Sequence, residues 1–157
     1  MFKLSDNGIE FVKKELERYE SKLSAIIPAL YQVQREHGWV SPDAVVFLAE
    51  IMDIPESQIN EVLKFYTMFN QKPVGKKHVQ VCCNLSCAMN GGRELVDHLC
   101  KSFNVKPGEV SEDGEVTVTA VECLGSCGTA PMMQVNDAYY ENLNHESAVE
   151  IIKKLEV

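Results

Sequence analysis

Glu115-Val116-Thr117-Val118-Thr119-Ala120-Val121-Glu122-Cys123-Leu124-Gly125-Ser126-Cys127-Gly128 divides into two parts that are read differently. From Glu115 to Glu122 a Val-Thr-Val-Thr alternation of β-branched residues predicts a strand with one buried face. The strand runs into Cys123, and Cys127 follows among glycines that permit tight turns. The same arrangement occurs upstream, where His78 to Cys82 reads as a strand and the run Cys82-Cys83-Asn84-Leu85-Ser86-Cys87 follows. Two loops leaving neighbouring strands at one sheet edge can face each other. Each can then give two thiolates to one site, despite the 35 residues between Cys87 and Cys123.

Around these two segments the strand period continues in Met132 to Val135 and, after an Asn136-Asp137 turn, in Tyr139 to Leu143. Helical patterns cover 92–103 and 145–155. The order β, α, β, β, β, α describes a small mixed sheet flanked by helices, and the crossover helix predicts a parallel first pairing.

Before the sheet, apolar residues recur at helical spacing: Ile9, Val12, Leu16; Leu23, Ile26, Ile27, Leu30, Val33; Val45, Leu48, Ala49, Met52; Ile59, Val62, Leu63, Tyr66. Four helices fit, with Pro28 kinking or starting the second, and Ser41-Pro42-Asp43 and Pro55-Glu56 read as helix starts. They should pack as a small bundle, with Phe65, Tyr66, Met68 and Phe69 in its core or at a seam. The segment 70–77 reads as a linker, giving a helical domain over 1–74 and a sheet domain over 75–157. The expected class is α+β.

The 157-residue chain has a net charge of −8, shared as −3 over residues 1–75 and −5 over 76–157 without a basic cluster. That balance argues against nucleic acid as a partner. No apolar run reaches the roughly 18 residues of a membrane span, and the first residues resemble neither a signal nor a transit peptide, so a soluble intracellular protein is expected. All six cysteines lie beyond residue 81. In that setting clustered cysteines point to metal or redox chemistry rather than disulfides.

Four cysteines in two pairs are, taken generically, more often a structural zinc site. Here the gaps are longer than the two-residue gap common in zinc knuckles, and an iron–sulfur cluster spreads its thiolates more widely than one tetrahedral ion. Leu85, Ala88, Met89, Leu124 and Met132 are expected to exclude water around the site, with Gly91, Gly92, Gly125 and Gly128 allowing the turns. Spacing leaves Cys82 and Cys83 both open as the first ligand. Cys100, mid-helix, reads as packing. The four histidines are scattered, and no nucleophile–base pair, paired carboxylates or nucleotide-binding glycine motif is present, so no catalytic pocket is expected.

As a set, Gly38-Trp39-Val40-Ser41-Pro42, Phe65-Tyr66-Thr67-Met68-Phe69, Lys72-Pro73-Val74-Gly75, Cys82-x4-Cys87, Glu122-Cys123-Leu124-Gly125-Ser126-Cys127-Gly128-x2-Pro131-Met132 and 136–143 resemble the thioredoxin-like [2Fe–2S] subunit family of the peripheral NADH dehydrogenase module of respiratory complex I. The resemblance implies a thioredoxin-like sheet domain behind the helices and a [2Fe–2S] cluster on Cys82, Cys87, Cys123 and Cys127, choosing Cys82 over Cys83. It further implies one-electron exchange with the FMN of an NADH-binding flavoprotein subunit, and a place on the cytoplasmic face of the inner membrane through the complex. Related architectures serve NAD-linked hydrogenases and formate dehydrogenases. The first loop departs from the family pattern at Cys83, where Thr is usual, and at Ser86, where Pro is frequent. A thiolate-only centre in an acidic domain is expected at low potential, on the order of −400 mV as in plant-type ferredoxins.

Overall fold

The computed structural model describes residues 2–156, which divide into two compact units between Pro73 and Val74. The first unit is helical: α1 (Asp6–Arg18), α2 (Ile26–His37), α3 (Pro42–Met52) and α4 (Glu56–Phe65). Each start has a local cause. The Ser5 hydroxyl accepts from the Gly8 N–H, and the Ser41 hydroxyl from the Ala44 N–H with Pro42 at the first helical position. The start of α1 is also tied to α2, because the Glu36 carboxylate accepts from both the N–H and the hydroxyl of Ser5, at 2.8 and 2.7 Å.

The expected second stripe is broken. A one-turn 3-10 segment, Lys22–Ala25, precedes α2, so Leu23 falls off the helix face and is exposed, while Ile26, Leu30 and Val33 are fully buried. Pro28 is the third residue of α2, where a missing N–H costs nothing because first-turn donors have no helical partner. Each fully buried leucine or isoleucine here contributes about 1.5–3 kcal/mol by leaving water. Of the four bulky residues expected in the helical core or at its seam with the second half, only Phe69 joins the core, edge-on against Tyr31; Phe65 is 77% exposed, and Tyr66 and Met68 are also exposed. The reason is that α4 ends at Phe65 and the chain turns outward, with Phe65 and Tyr66 packing on each other.

In the second unit, β1 (Lys77–Cys82) pairs in parallel with β2 (Val116–Val121) and antiparallel with β3 (Met133–Val135), which pairs antiparallel with β4 (Ala138–Tyr140). The order across the sheet is β2-β1-β3-β4. Between β1 and β2 run α5 (Leu85–Met89) and α6 (Gly92–Ser102), and α7 (His145–Lys154) closes the chain behind an Asn144 capping box. The alternation seen in the sequence sorts the two faces. Val79, Val81, Val116 and Val118 pack with Leu95 and Leu99 of α6 and with Ala148 and Ile152 of α7. The expected α+β order, helices before a mixed sheet, is present, as is the parallel first pairing. Two details differ. β4 stops at Tyr140 rather than Leu143, because Asn142 takes a left-handed conformation and its N–H turns to the Thr129 carbonyl. The first cysteine loop contains the short helix α5, which no periodicity announced. Among the described residues no helix is long and apolar enough to cross a membrane.

Candidate metal centre

Parallel pairing decides where the cysteines meet. In a parallel pair both strands finish at the same sheet edge, and Cys82 stands opposite Val121 in register, so the loop after β1 and the loop after β2 leave side by side. Cys87 is brought back to Cys82 by α5, whose start is capped by the Asn84 side chain accepting from the Leu85 N–H. Cys127 begins a one-turn 3-10 segment, Cys127–Thr129.

The Cys82 thiol donates to the Glu122 carbonyl at 3.4 Å, and the Cys87 and Cys123 thiols and the Asn84 and Leu124 amides are near enough to bear on its ionisation. Cys127 is close enough to Cys87 for its charge to be felt there. All six cysteines are free thiols. Burial opposes ionisation of Cys82, but the two amides and two thiols outweigh it and hold its pKa below the usual thiol range. Burial and the neighbouring Cys82 push Cys87 up to about 11, against the Met132 amide. Coordination to iron displaces such a proton outright.

Burial divides the site. Cys82 and Cys87 are buried in a small apolar cluster with Met132, packed by Leu124 and Ala130, while Cys123 and Cys127 are exposed. The expected apolar shell is therefore one-sided: Leu85 and Met89, four residues apart on α5, are 73% and 80% exposed. α5 turns its Cys87 face inward, and these two side chains lie on its other side. Cys83 is excluded from the group by the strand's alternation. Its thiol points to the Val81 and Gly92 carbonyls at 3.5 and 3.9 Å, and it packs with the α6 side of the sheet. Cys100 is buried on α6 among the same residues.

The loop glycines do different jobs. Gly91 and Gly125 have left-handed backbones, at φ 87° and 85°. Gly92 lies against the carbonyls of Cys82 and Cys87, where any side chain would collide with backbone. Gly128 has open space around it.

An all-thiolate donor set suits iron–sulfur chemistry, and the arrangement fits it: one pair of thiols is buried, the other is exposed, and the Asn84 and Leu124 amides favour the charged form of Cys82. Among the described residues no three His, Cys, Asp or Glu side chains are gathered so as to hold a single metal ion. Three side chains brace the second loop: Ser86, noted in the sequence only as a departure from the family pattern, and Thr129 and Glu141, to which the sequence assigned no role. The Ser86 hydroxyl donates to the Cys127 carbonyl at 2.8 Å, and the Thr129 hydroxyl donates to Glu141 Oε1 at 2.7 Å. Hydrogen bonds from Ser126 and Thr129 hold the Glu141 carboxyl below its ordinary pKa. The histidines are also less scattered than their numbering indicates, since His98 of α6 stacks on His145 of α7 at 4.5 Å.

The family model for thioredoxin-like [2Fe–2S] ferredoxins matches residues 12–156. A Rickettsia bellii protein named as a subunit of NADH-quinone oxidoreductase is 37% identical, over 98% of this chain and 94% of its own length. A Thermus thermophilus protein, likewise named as an NADH-quinone oxidoreductase subunit, is 40% identical, over 86% of this chain and 76% of its own. Among solved structures, an NAD+-reducing [NiFe]-hydrogenase in its H2-reduced state shares the fold with a TM-score of 0.71, at 23% identity over 82% of this chain. The match spans 22% of that hydrogenase chain.

Proposed function

We propose, since this chain belongs to the thioredoxin-like [2Fe–2S] ferredoxin family, that it is the electron-transfer subunit of an NADH-quinone oxidoreductase and holds its cluster on Cys82, Cys87, Cys123 and Cys127. The observation that carries this reading is the meeting of two cysteine pairs where parallel strands β1 and β2 end together. When bound, the cluster supplies a store for one electron. The protein sets the terms of that exchange. The Asn84 and Leu124 amides favour added negative charge at Cys82, while the carboxylate of Glu141, bonded to the loop that carries Cys127, opposes it. Met132 and Leu124 keep water from the buried pair.

The partner is an FMN- and NADH-binding flavoprotein subunit of the same complex. It approaches the open side of the site, where Cys123 and Cys127 are exposed and Leu85 and Met89 present apolar surface beside them. NADH delivers two electrons as a hydride, so a one-electron store beside the flavin lets them be passed on singly. The complex places the chain at the cytoplasmic face of the inner membrane. The hydrogenase likeness is one of fold and does not move this assignment.

Mixing the reconstituted chain anaerobically with its flavoprotein tests the reading. NADH should reduce the cluster, seen by EPR, with the flavoprotein present and not without it. Reduction without the flavoprotein, or none with it, would overturn the assignment.

A further inference from the structure

The two cysteine pairs are joined by a long stretch of chain, and only one pair is buried. Something must fix the exposed pair against the buried one. Ser86 belongs to the first loop, directly before Cys87, yet its hydroxyl donates across to the backbone carbonyl of Cys127 in the second loop, at 2.8 Å. On its other side the Cys127 turn is already anchored. The Thr129 hydroxyl donates to Glu141 beyond β4, and the Thr129 N–H donates to the Ser126 carbonyl within the turn. The turn that carries Cys127 therefore sits between α5 and the segment after β4, and Ser86 is its link to the first pair.

We infer that Ser86 is a positioning residue for the iron–sulfur cluster: its hydroxyl holds the Cys127 backbone, and with it the outer cysteine pair, in register with the inner pair and so slows the loss of iron. This rests on the ligand assignment proposed above. The role belongs to the hydroxyl and not to the volume of the side chain, because Ala at position 86 keeps the helical preference of α5 and removes only the donor. The Cys127 carbonyl, on an exposed residue, then turns to water, and the fold has little reason to suffer. Threonine retains the donor.

The test compares wild type, Ser86→Ala and Ser86→Thr, each reconstituted anaerobically. Bleaching of the cluster absorbance by an iron(II) chelator gives the rate, and the EPR line shape of the reduced protein reports the order of the site. Losing one partly exposed hydrogen bond should speed bleaching about 2- to 12-fold in Ser86→Ala. Its EPR lines should broaden, Ser86→Thr should stay near wild type, and the urea midpoints of the apoproteins should coincide. Wild-type bleaching in Ser86→Ala would overturn the inference, as would equally fast bleaching in Ser86→Thr or a matching fall in apoprotein stability. A wild-type chain that binds no [2Fe–2S] cluster would remove the ligand assignment itself, and the inference with it. A stable wild-type cluster with an indifferent Ser86→Ala would remove the inference alone.

Discussion

Replacing Gly92 with alanine adds one methyl group where the backbones of Cys82 and Cys87 meet α6. The methyl would stand 2.6 Å from the Cys82 carbonyl oxygen and 2.9 Å from that of Cys87, inside the 3.0 Å that such carbons essentially never breach. Neither obstacle is a side chain that can swing away. One is fixed in β1, and the other accepts from the Asn90 N–H at the end of α5. Relief requires α6 or a cysteine segment to move, and overpacking of this kind costs about 1–3 kcal/mol. Gly92 does not have a left-handed backbone, so alanine gains some helix preference, up to about 1 kcal/mol in a helix interior and less at the first residue of α6. The net expectation is a loss of about 1–2 kcal/mol. Urea unfolding of the apoprotein measures it, and iron content after reconstitution should fall in parallel. Gly128→Ala is the matched control: no atom lies within 4 Å of its methyl, and its stability should stay within about 0.5 kcal/mol of wild type. A Gly92→Ala protein with wild-type stability and full iron content would refute the reasoning, because it would show that the cysteine backbone yields freely.

In the helical unit, Phe69→Ala should cost about 3–5 kcal/mol in denaturant unfolding, whereas Phe65→Ala, at a site 77% exposed, should be nearly neutral. Cys83→Ser and Cys100→Ser should each leave the EPR spectrum of the reduced cluster unchanged, since both thiols pack on the α6 side of the sheet. Acid should weaken the helical unit through Glu36. Its burial opposes ionisation, but the Ser5 N–H and hydroxyl, the Gln32 amide and the charge of His37 outweigh it and hold the pKa below 4.5. A folded pKa below the unfolded one gives stability that is complete above about pH 4.5 and is lost as pH falls through the lower folded value. The urea midpoint should therefore drop below that pH, and Glu36→Gln should flatten the decline.

The sheet and the site were legible because both write themselves in alternation and spacing. The Val-Thr-Val-Thr run located β2, and a strand ending in cysteine, twice, was enough to place two loops at one edge once a helix joined them. What was missed lies below the length at which a period shows. α5 has five residues, too few for an amphipathic pattern, and its signal is the capping side chain of Asn84 before Leu85. That short helix is why Leu85 and Met89, apolar and two residues either side of Cys87, turn outward. Leu23 and Tyr66 matched the helical period but fell just outside helices, where the period no longer fixes a direction. Ser86 and Glu141 act through contacts 41 and 12 residues away, and a single sequence carries no local mark of such pairs.

The claim on which the rest depends is that Cys82, Cys87, Cys123 and Cys127 together hold a two-iron cluster. Iron and sulfide analysis with EPR of the reduced chain, wild type beside Cys123→Ser, tests it most directly. The expected result is a red-brown protein with about two irons and two sulfides per chain, and a low-temperature signal near one spin per chain that is lost or displaced in the variant. A colourless protein holding about one zinc per chain, or an iron signal unchanged in Cys123→Ser, would contradict it.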